Sequence, residues 1–402
     1  MGKWVKDGFD SVVRDDTHNG TKIPAVEYMR SGACPIIDQG QDFIAGYSDD
    51  ITAAYQNLPA IVFGDHTRVL KFANFPFLLG ADGAKILQPA TDKLDCKYLF
   101  YYLLQNPVPS TGYNRHFSWM KRMPVVYPVS LDEQRHIAEI LTACDEVIDK
   151  SEVVVEKYRA IKAGMLKDLL TRGIGKNGKL RPPPESAPQL YKDTALGKVP
   201  CEWKIKTIGE MFAFKNGISK GKEYFGHGVP IVNFTDVFNR PRITPDALKG
   251  RVEMDRHEIE SFAVKSGDVF FTRTSETPEE IGMAAVVIGE FVDTVFSGFV
   301  LRGRPVSEDL EDEFKVFCFR TDAIRKRIVG DCSYTTRALT NGTKLSAIKM
   351  GVPSKFEQQR IAERLSAIDA KIADELAVIA KYRKVKAGLM ARLLTPPDGE
   401  VE

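Results

Sequence analysis

Apolar residues recur at three- and four-residue steps through 133–171: Ile137, Leu141, Cys144, Ile148, Val155, Tyr158, Ile161, Met165 and Leu169. The same rhythm returns through 357–395, in Ile361, Leu365, Ile368, Ile372, Leu376, Ile379, Tyr382, Leu389 and Leu393. This spacing predicts two amphipathic helices, with charged residues such as Glu139, Asp145, Lys157 and Lys167 on the other faces. Neither stretch contains a proline. Turn chemistry stops each one, Gly173 and Gly175 after the first and Pro396-Pro397 after the second. At ~1.5 Å per residue each helix would run to roughly 58 Å, too long to lie inside one small domain.

The two stretches are copies of one another. Glu133-Gln134-Arg135-His136-Ile137-Ala138-Glu139 opens the first, and Glu357-Gln358-Gln359-Arg360-Ile361-Ala362-Glu363 opens the second. Lys157-Tyr158-Arg159 and Lys162-Ala163-Gly164 return as Lys381-Tyr382-Arg383 and Lys386-Ala387-Gly388. The offset is 224 from Ile137/Ile361 to Thr171/Thr395, without a slip. Such a period means duplicated supersecondary units. Matched helices of equal length suggest partners in an antiparallel coiled coil. Its seam is assigned to Ile137, Leu141, Ile148, Tyr158, Ile161 and Met165 with Ile361, Leu365, Ile372, Ile379, Tyr382 and Leu389.

Before each helix lies a globular stretch. In residues 1–130 the apolar runs Cys34-Pro35-Ile36-Ile37, Ala60-Ile61-Val62-Phe63 and Phe75-Pro76-Phe77-Leu78-Leu79 predict strands. Tyr98 to Leu104 predicts a short helix ended by Pro107. In 201–353, Trp203 matches Trp4, Glu223-Tyr224 matches Glu27-Tyr28, and Val269-Phe270-Phe271 matches Ile61-Val62-Phe63. Phe225-Gly226-His227-Gly228 predicts a hairpin turn, and 173–200, with Pro182-Pro183-Pro184, a flexible linker with little to pack. The expected plan is α+β: a globular unit (1–130), a long helix (131–172), a linker (173–200), a second globular unit (201–353), a second long helix (354–396) and a tail (397–402). A pseudo-twofold relation between the repeats would hold the globular units apart by tens of ångströms, comparable to the ~34–36 Å of one DNA turn.

Composition narrows the function classes. No apolar run approaches membrane-spanning length, and the opening Met1-Gly2-Lys3-Trp4 is not a signal peptide, so a cytoplasmic protein is expected. The six scattered cysteines form no Cys-x-x-Cys pair, which points to reduced thiols and no zinc site. A net charge of +2 does not announce a nucleic-acid binder, so any such role must rest on local patches or on partners. Catalytic motifs fail on inspection. Asn106-Pro107-Val108-Pro109 lacks the aromatic that an adenine methyltransferase places after Asn-Pro-Pro. Gly173-Ile174-Gly175-Lys176-Asn177-Gly178-Lys179-Leu180 is one residue short of a P-loop, has Leu180 where the Mg²⁺-binding hydroxyl belongs, and follows a helix. Neither a metal set nor a nucleophile-base pair stands out, so no catalytic residue and no cofactor is expected in this chain.

What remains is polar loops on a duplicated scaffold, carrying the side chains that read base edges and grip phosphates. The candidates are Gln39, Gln41, His66, Thr67, Arg68, Lys71 and Lys85 in the first globular unit. In the second they are Lys220, Lys222, Arg273, Thr274, Ser275, Arg337, Asn341 and Lys344. Arg68 and Arg273 are paired as counterparts, each in a polar turn after an apolar strand.

The block Leu131-Asp132-Glu133-Gln134-Arg135-His136-Ile137-Ala138-Glu139-Ile140-Leu141, with Lys162-Ala163-Gly164 and Leu169-Leu170-Thr171 beyond it, resembles the central region of type I restriction-modification specificity subunits. Glu357-Gln358-Gln359-Arg360-Ile361-Ala362-Glu363 resembles their distal region, and Gly197-Lys198-Val199-Pro200-Cys201-Glu202-Trp203 the phrase that opens their second recognition domain. The resemblance implies two target-recognition domains, each reading half of a bipartite double-stranded DNA site. It implies two methyltransferase subunits around the helices and a motor-nuclease subunit that joins some complexes. S-adenosylmethionine, ATP and Mg²⁺ would then belong to those partners. Base-contacting residues vary with the target in that family, so none is carried over. The rival from another class is a coiled-coil scaffold joining two protein partners without reading DNA.

Overall fold

The computed structural model describes residues 3–80, 83–110, 112, 114–334 and 337–397. The chain is a mixed α and β protein of two compact units: Met1–Val154 with Asp374–Glu402, and Val155–Ala373. The division falls inside both long helices. Each unit therefore holds one globular body and a portion of each helix, where the sequence suggested bodies and helices as separate segments. The helices span Leu131–Leu169 and Lys355–Leu393, 39 residues apiece, two residues earlier at each end than their repeat blocks suggest. Ser130 and Ser354 cap them, each hydroxyl accepting from the backbone amide three residues on, at 3.4 and 3.3 Å.

In the first unit, a four-stranded antiparallel sheet has the order Val13–Asp15, Ala84–Pro89, Ala60–Gly64, Leu70–Ala73. Ala60–Gly64 is buried throughout, because the sheet has a core on both faces. Ile61 and Phe63 pack with the helix Cys96–Gln105, while Ala60 and Val62 pack with Ile37, Phe77 and Leu79. Alternate side chains point to opposite faces, so a strand covered on both sides reads as an unbroken apolar run. A smaller sheet follows, in which Leu78–Gly80 runs parallel to both Lys22–Ile23 and Cys34–Ile37. Its strand starts later than the run from Phe75 suggests. Pro76 has no amide to donate, and Phe77 makes only an isolated bridge to Tyr55.

The second unit repeats this plan. Phe212–Asn216, Val300–Pro305, Val269–Thr272 and Ala284–Val287 stand in the same order, with Arg242–Ile243 added at the edge. Val269 and Phe271 face one core and Phe270 the other. The smaller sheet again joins a parallel pair, Phe225–Val232 with Val295–Phe296. Phe225–Gly228 is therefore not a hairpin turn. It opens a strand whose register slips between Phe225 and Val229, with Gly226 and Gly228 at φ 104° and 89°. Those left-handed glycines let the strand bulge instead of reversing.

One glutamine in each unit fixes the long helix to its body. Gln134 donates to the Lys93 and Pro128 carbonyls, both at 2.8 Å, and accepts from the Asp95 amide at 2.8 Å. Gln358 donates to the Asp309 and Pro353 carbonyls, at 2.7 and 2.9 Å, and accepts from the Glu311 amide at 2.9 Å. Both side chains are fully buried. Gln358→Leu strands two carbonyls and an amide away from water. It should cost about 2–4 kcal/mol in urea unfolding, and a loss below about 0.5 kcal/mol would show that the clamp carries no weight.

Residues 173–200 are an ordered part of the second unit, not a loose linker. Gly173 to Arg181 turns back on itself through the Ile174–Leu180 bridge, and Tyr191–Thr194 pairs with Gly197–Pro200. Arg181 and Glu357, each buried, form an ion pair at 2.5 Å, and Glu357 also accepts from Ile174 N (2.7 Å) and Trp203 Nε1 (3.1 Å). Burial alone lowers the Arg181 pKa, but the Glu357 and Glu202 carboxylates outweigh it and hold the guanidinium above its ordinary value.

Within each unit the two helix portions run antiparallel. In the first, Asp145 meets Lys386 at 2.5 Å and Glu152 meets Arg383 at 2.6 Å. In the second, Lys162 meets Asp369 at 2.5 Å, and Lys371 lies 5.6 Å from the Tyr158 ring. The lysines of the two Lys-Ala-Gly blocks thus make equivalent pairs, each near an aromatic ring of its own globular body, Tyr101 for Lys386 and Phe317 for Lys162. The apolar stripe is shared out differently from a simple seam. Ile137 and Leu141 enter the first globular core, and Ile361 and Leu365 the second. Leu389 and Met165 pack partly buried against those same cores. Ile148 and Ile379 are buried, while Tyr158, Ile372 and Tyr382 are half-buried. Ile161, expected in the seam, is exposed.

Candidate nucleic-acid interface

In the second unit, the central strand Val269–Thr272 delivers Arg273 to the edge of a cleft. Thr274–Ser275 then pairs with Ala338–Leu339, which pairs with Ser333–Tyr334. This small sheet brings Thr274, Ser275 and Arg337 together around a cleft that Phe234 and Phe299 also line. Arg273 is anchored through its backbone, its amide donating to Phe299 O and its carbonyl accepting from Thr340 N, both at 3.0 Å. Its guanidinium is held loosely: Nη1 lies 3.4 Å from Gly298 O, and the buried Nε has no hydrogen-bond partner among the described residues. Arg337 is exposed, 4.0 Å from Glu276.

Other candidates in this unit serve its own framework. Asn341 caps the helix Gly342–Ala347, and Lys344 donates to Asp331 O and Ser333 Oγ at 2.7 and 2.6 Å. Ser275 donates to Glu280. Lys220 pairs with Glu258 at 2.6 Å and holds that carboxyl below its ordinary pKa. Lys222 is exposed on a short turn outside the residues that line the cleft.

The first unit corrects the sequence assignment most clearly. The residue equivalent to Arg273 is Asp65, not Arg68. Asp65 follows the central strand directly, and its carbonyl accepts from His116 N at 2.8 Å just as Arg273 O accepts from Thr340 N. Asp65 is buried and also accepts from Phe117 N at 2.7 Å. Arg68 lies in a tight turn at φ 62°, exposed, with Nη1 3.2 Å from Val108 O. Lys71 is buried, donating to the carbonyls of Asp38 and Asp42 at 2.9 and 2.5 Å, so it cannot reach a ligand. Burial pushes its pKa down, with Asp38 opposing. Lys85 pairs with Asp15 at 2.9 Å. Burial raises the Asp15 pKa, but hydrogen bonds from Thr17 and Lys85 bring it below the ordinary value. Gln39 knits the turn together, accepting from His66 N and Thr67 Oγ1. Gln41 is exposed.

Sequence reasoning passed over the second segment that meets this turn. Asn114 and Arg115, both exposed, immediately precede His116, and Arg337 similarly lies three residues before Thr340. Trp119 follows, 44% exposed, with the Arg122 guanidinium 5.2 Å from its ring. An aromatic and an arginine side by side at the surface suit base stacking and phosphate contact. No local periodicity marks these residues, since they reach the turn by folding across the body.

Each body by itself presents polar and aromatic side chains beside its central strand, chemistry suited to a nucleic-acid surface. Residues 200–380 match the model of the type I restriction modification DNA specificity domain. The chain is 26% identical over 343 residues to the putative type I restriction enzyme MjaX specificity subunit of Methanocaldococcus jannaschii, covering 79% of this chain and 72% of that one. It is 24% identical over 373 residues to the EcoR124I/EcoR124II specificity subunit of Escherichia coli, covering 86% and 82%. Its fold is similar to that of the type I S subunit from M. genitalium, with a TM-score of 0.62 at 16% identity over 98% and 97% of the two chains. Residues 200–380 thus carry a type I DNA specificity domain, and over most of its length the chain is similar to the specificity subunits of type I restriction-modification systems, a family whose role is DNA recognition. No described helix is long and apolar enough to cross a membrane.

Proposed function

We propose that this chain is the non-catalytic reader of a type I complex, each globular body recognising one half of a bipartite DNA site. The observation that carries this reading is a framework matched residue by residue, Gln134 with Gln358, Asp145 with Asp369 and Lys386 with Lys162, beneath recognition loops that differ. A rigid shared scaffold with divergent loops is what two independent readers require. The exposed apolar residues of the long helices, Val153, Ile161, Leu376 and Val385, suit docking of two methyltransferase subunits. Those partners would supply S-adenosylmethionine and much of the grip on phosphates, and a motor-nuclease subunit would supply ATP and Mg²⁺ chemistry. The helices, of equal length and running through both units, would set the spacing of the half-sites.

Exchange of residues 203–345 for the equivalent segment of another specificity subunit tests this. Methylation mapping in cells with the partner methyltransferase should show one half-site changed and the other retained. A change in both half-sites, or in neither, would show that the bodies are not independent readers. Loss of all sequence preference in the unaltered complex would favour the scaffold reading.

A further inference from the structure

The cleft of the second unit contains a carboxylate at odds with general attraction to DNA. Glu276 follows Ser275 on the cleft wall, and its side chain is 86% exposed. The neighbouring Glu280 differs, because Ser275 donates to it and makes it part of the framework. Among the described residues, the cation paired with Glu276 is Arg337, at 4.0 Å and itself exposed, an arrangement that binds weakly and exchanges easily. Phe299, 58% exposed, and Phe234 line the same cleft.

A carboxylate is an acceptor only, and beside phosphates it is repelled. At a DNA surface it is favourable where it meets a donor, and base edges offer such donors in the major groove: the N4 amino group of cytosine and the N6 amino group of adenine. We propose that Glu276 reads one base of this unit's half-site by accepting from the exocyclic amine of a cytosine or adenine. Arg337 leaves Glu276 on binding and donates to a neighbouring phosphate or guanine edge. Bound DNA would cover Phe299 and Phe234 together with Glu276, and the water excluded there strengthens the polar contact. This rests on the assignment of the second unit as a DNA reader.

The test uses the full chain with its methyltransferase partner and compares Glu276→Gln, Glu276→Ala and Arg337→Ala by methylation mapping. Glutamine keeps an acceptor but adds a donor, so Glu276→Gln should admit carbonyl-bearing bases at one position. Discrimination there should fall by about 5- to 150-fold, with the other half-site and the melting temperature unchanged. The base lost from the motif tells which amine is read. Arg337→Ala should weaken binding while leaving that position selective. An unchanged motif for Glu276→Gln, or a uniform gain in affinity for Glu276→Ala, overturns the proposal, since the latter is what a merely repulsive surface carboxylate gives. Absence of any bipartite motif in the unaltered complex would instead overturn the DNA-reading assignment itself.

Discussion

Glu357→Ala is expected to destabilise the second unit by about 3–5 kcal/mol, the cost of leaving a buried charge without its partner. Glu357 receives four hydrogen bonds: two from Arg181, one from Trp203 Nε1 and one from the amide of Ile174. Its removal leaves Arg181 with Glu202, which is half exposed, and the Arg172 carbonyl. Glu357→Gln should fall between Glu357→Ala and the unaltered chain, because an amide oxygen can still accept from Trp203 and Ile174 while the charge pairing is lost. Urea unfolding followed by tryptophan fluorescence measures both variants, since Trp203 lies in the network. A loss below about 1 kcal/mol would place this buried pair no higher than a surface one.

That network also explains why residues 173–200 look loose in the sequence and are ordered in the fold. Three consecutive prolines and several glycines look like a flexible connection when judged locally. Their order comes from Arg181 meeting Glu357, 176 residues further along, a contact with no local signature. The long helices were legible for the opposite reason, since a 3.6-residue period sustained over 39 residues outweighs every competing pattern. Cys34–Ile37 and Ala60–Gly64 were legible because two-sided burial writes an unbroken apolar run. The strand does not start at Phe75, because the missing amide of Pro76 outweighs the apolar run and leaves Phe77 only an isolated bridge.

The candidate cleft is legible in the sequence as a region and much less as a set of residues. Thr274, Ser275 and Arg337 lie 63 or fewer positions apart in the chain and do converge on one cleft. Lys71 carries the right chemistry for DNA, yet the carbonyls of Asp38 and Asp42 claim its ammonium. Residue type alone cannot tell a lysine that faces water from one that closes a loop. Arg68 and Arg273 look like counterparts in the sequence because both follow an apolar strand. The turn between the central strand and its neighbour is short in the first unit and long in the second, so the backbone anchor falls on Asp65 instead. Divergent loop lengths on a shared framework are what make such residue matching fail.

Two residues inserted between Val154 and Val155 are expected to abolish site-specific methylation, whereas four inserted there and four between Ala373 and Asp374 should preserve it with a longer spacer. At 3.6 residues per turn, two residues rotate the downstream helix by roughly 200° and lengthen it by about 3 Å. Asp145 upstream and Lys162 downstream each pair with the same continuous second helix, at Lys386 and Asp369. A half-turn between them cannot satisfy both pairs, and it swings apolar residues such as Val155 into water. Four residues in both helices rotate the downstream part by only about 40° beyond a full turn and add roughly 6 Å. One base pair occupies ~3.4 Å and turns the duplex by roughly 35°, so the preferred spacer should grow by one or two base pairs. Affinity should fall as well, because the added DNA twist of roughly 35–70° does not match the added helix rotation in every register. Methylation mapping in cells carrying the partner methyltransferase measures both outcomes. Unchanged half-sites with a longer spacer identify the helices as the ruler, while full activity at the original spacing would show that the half-site separation is set elsewhere.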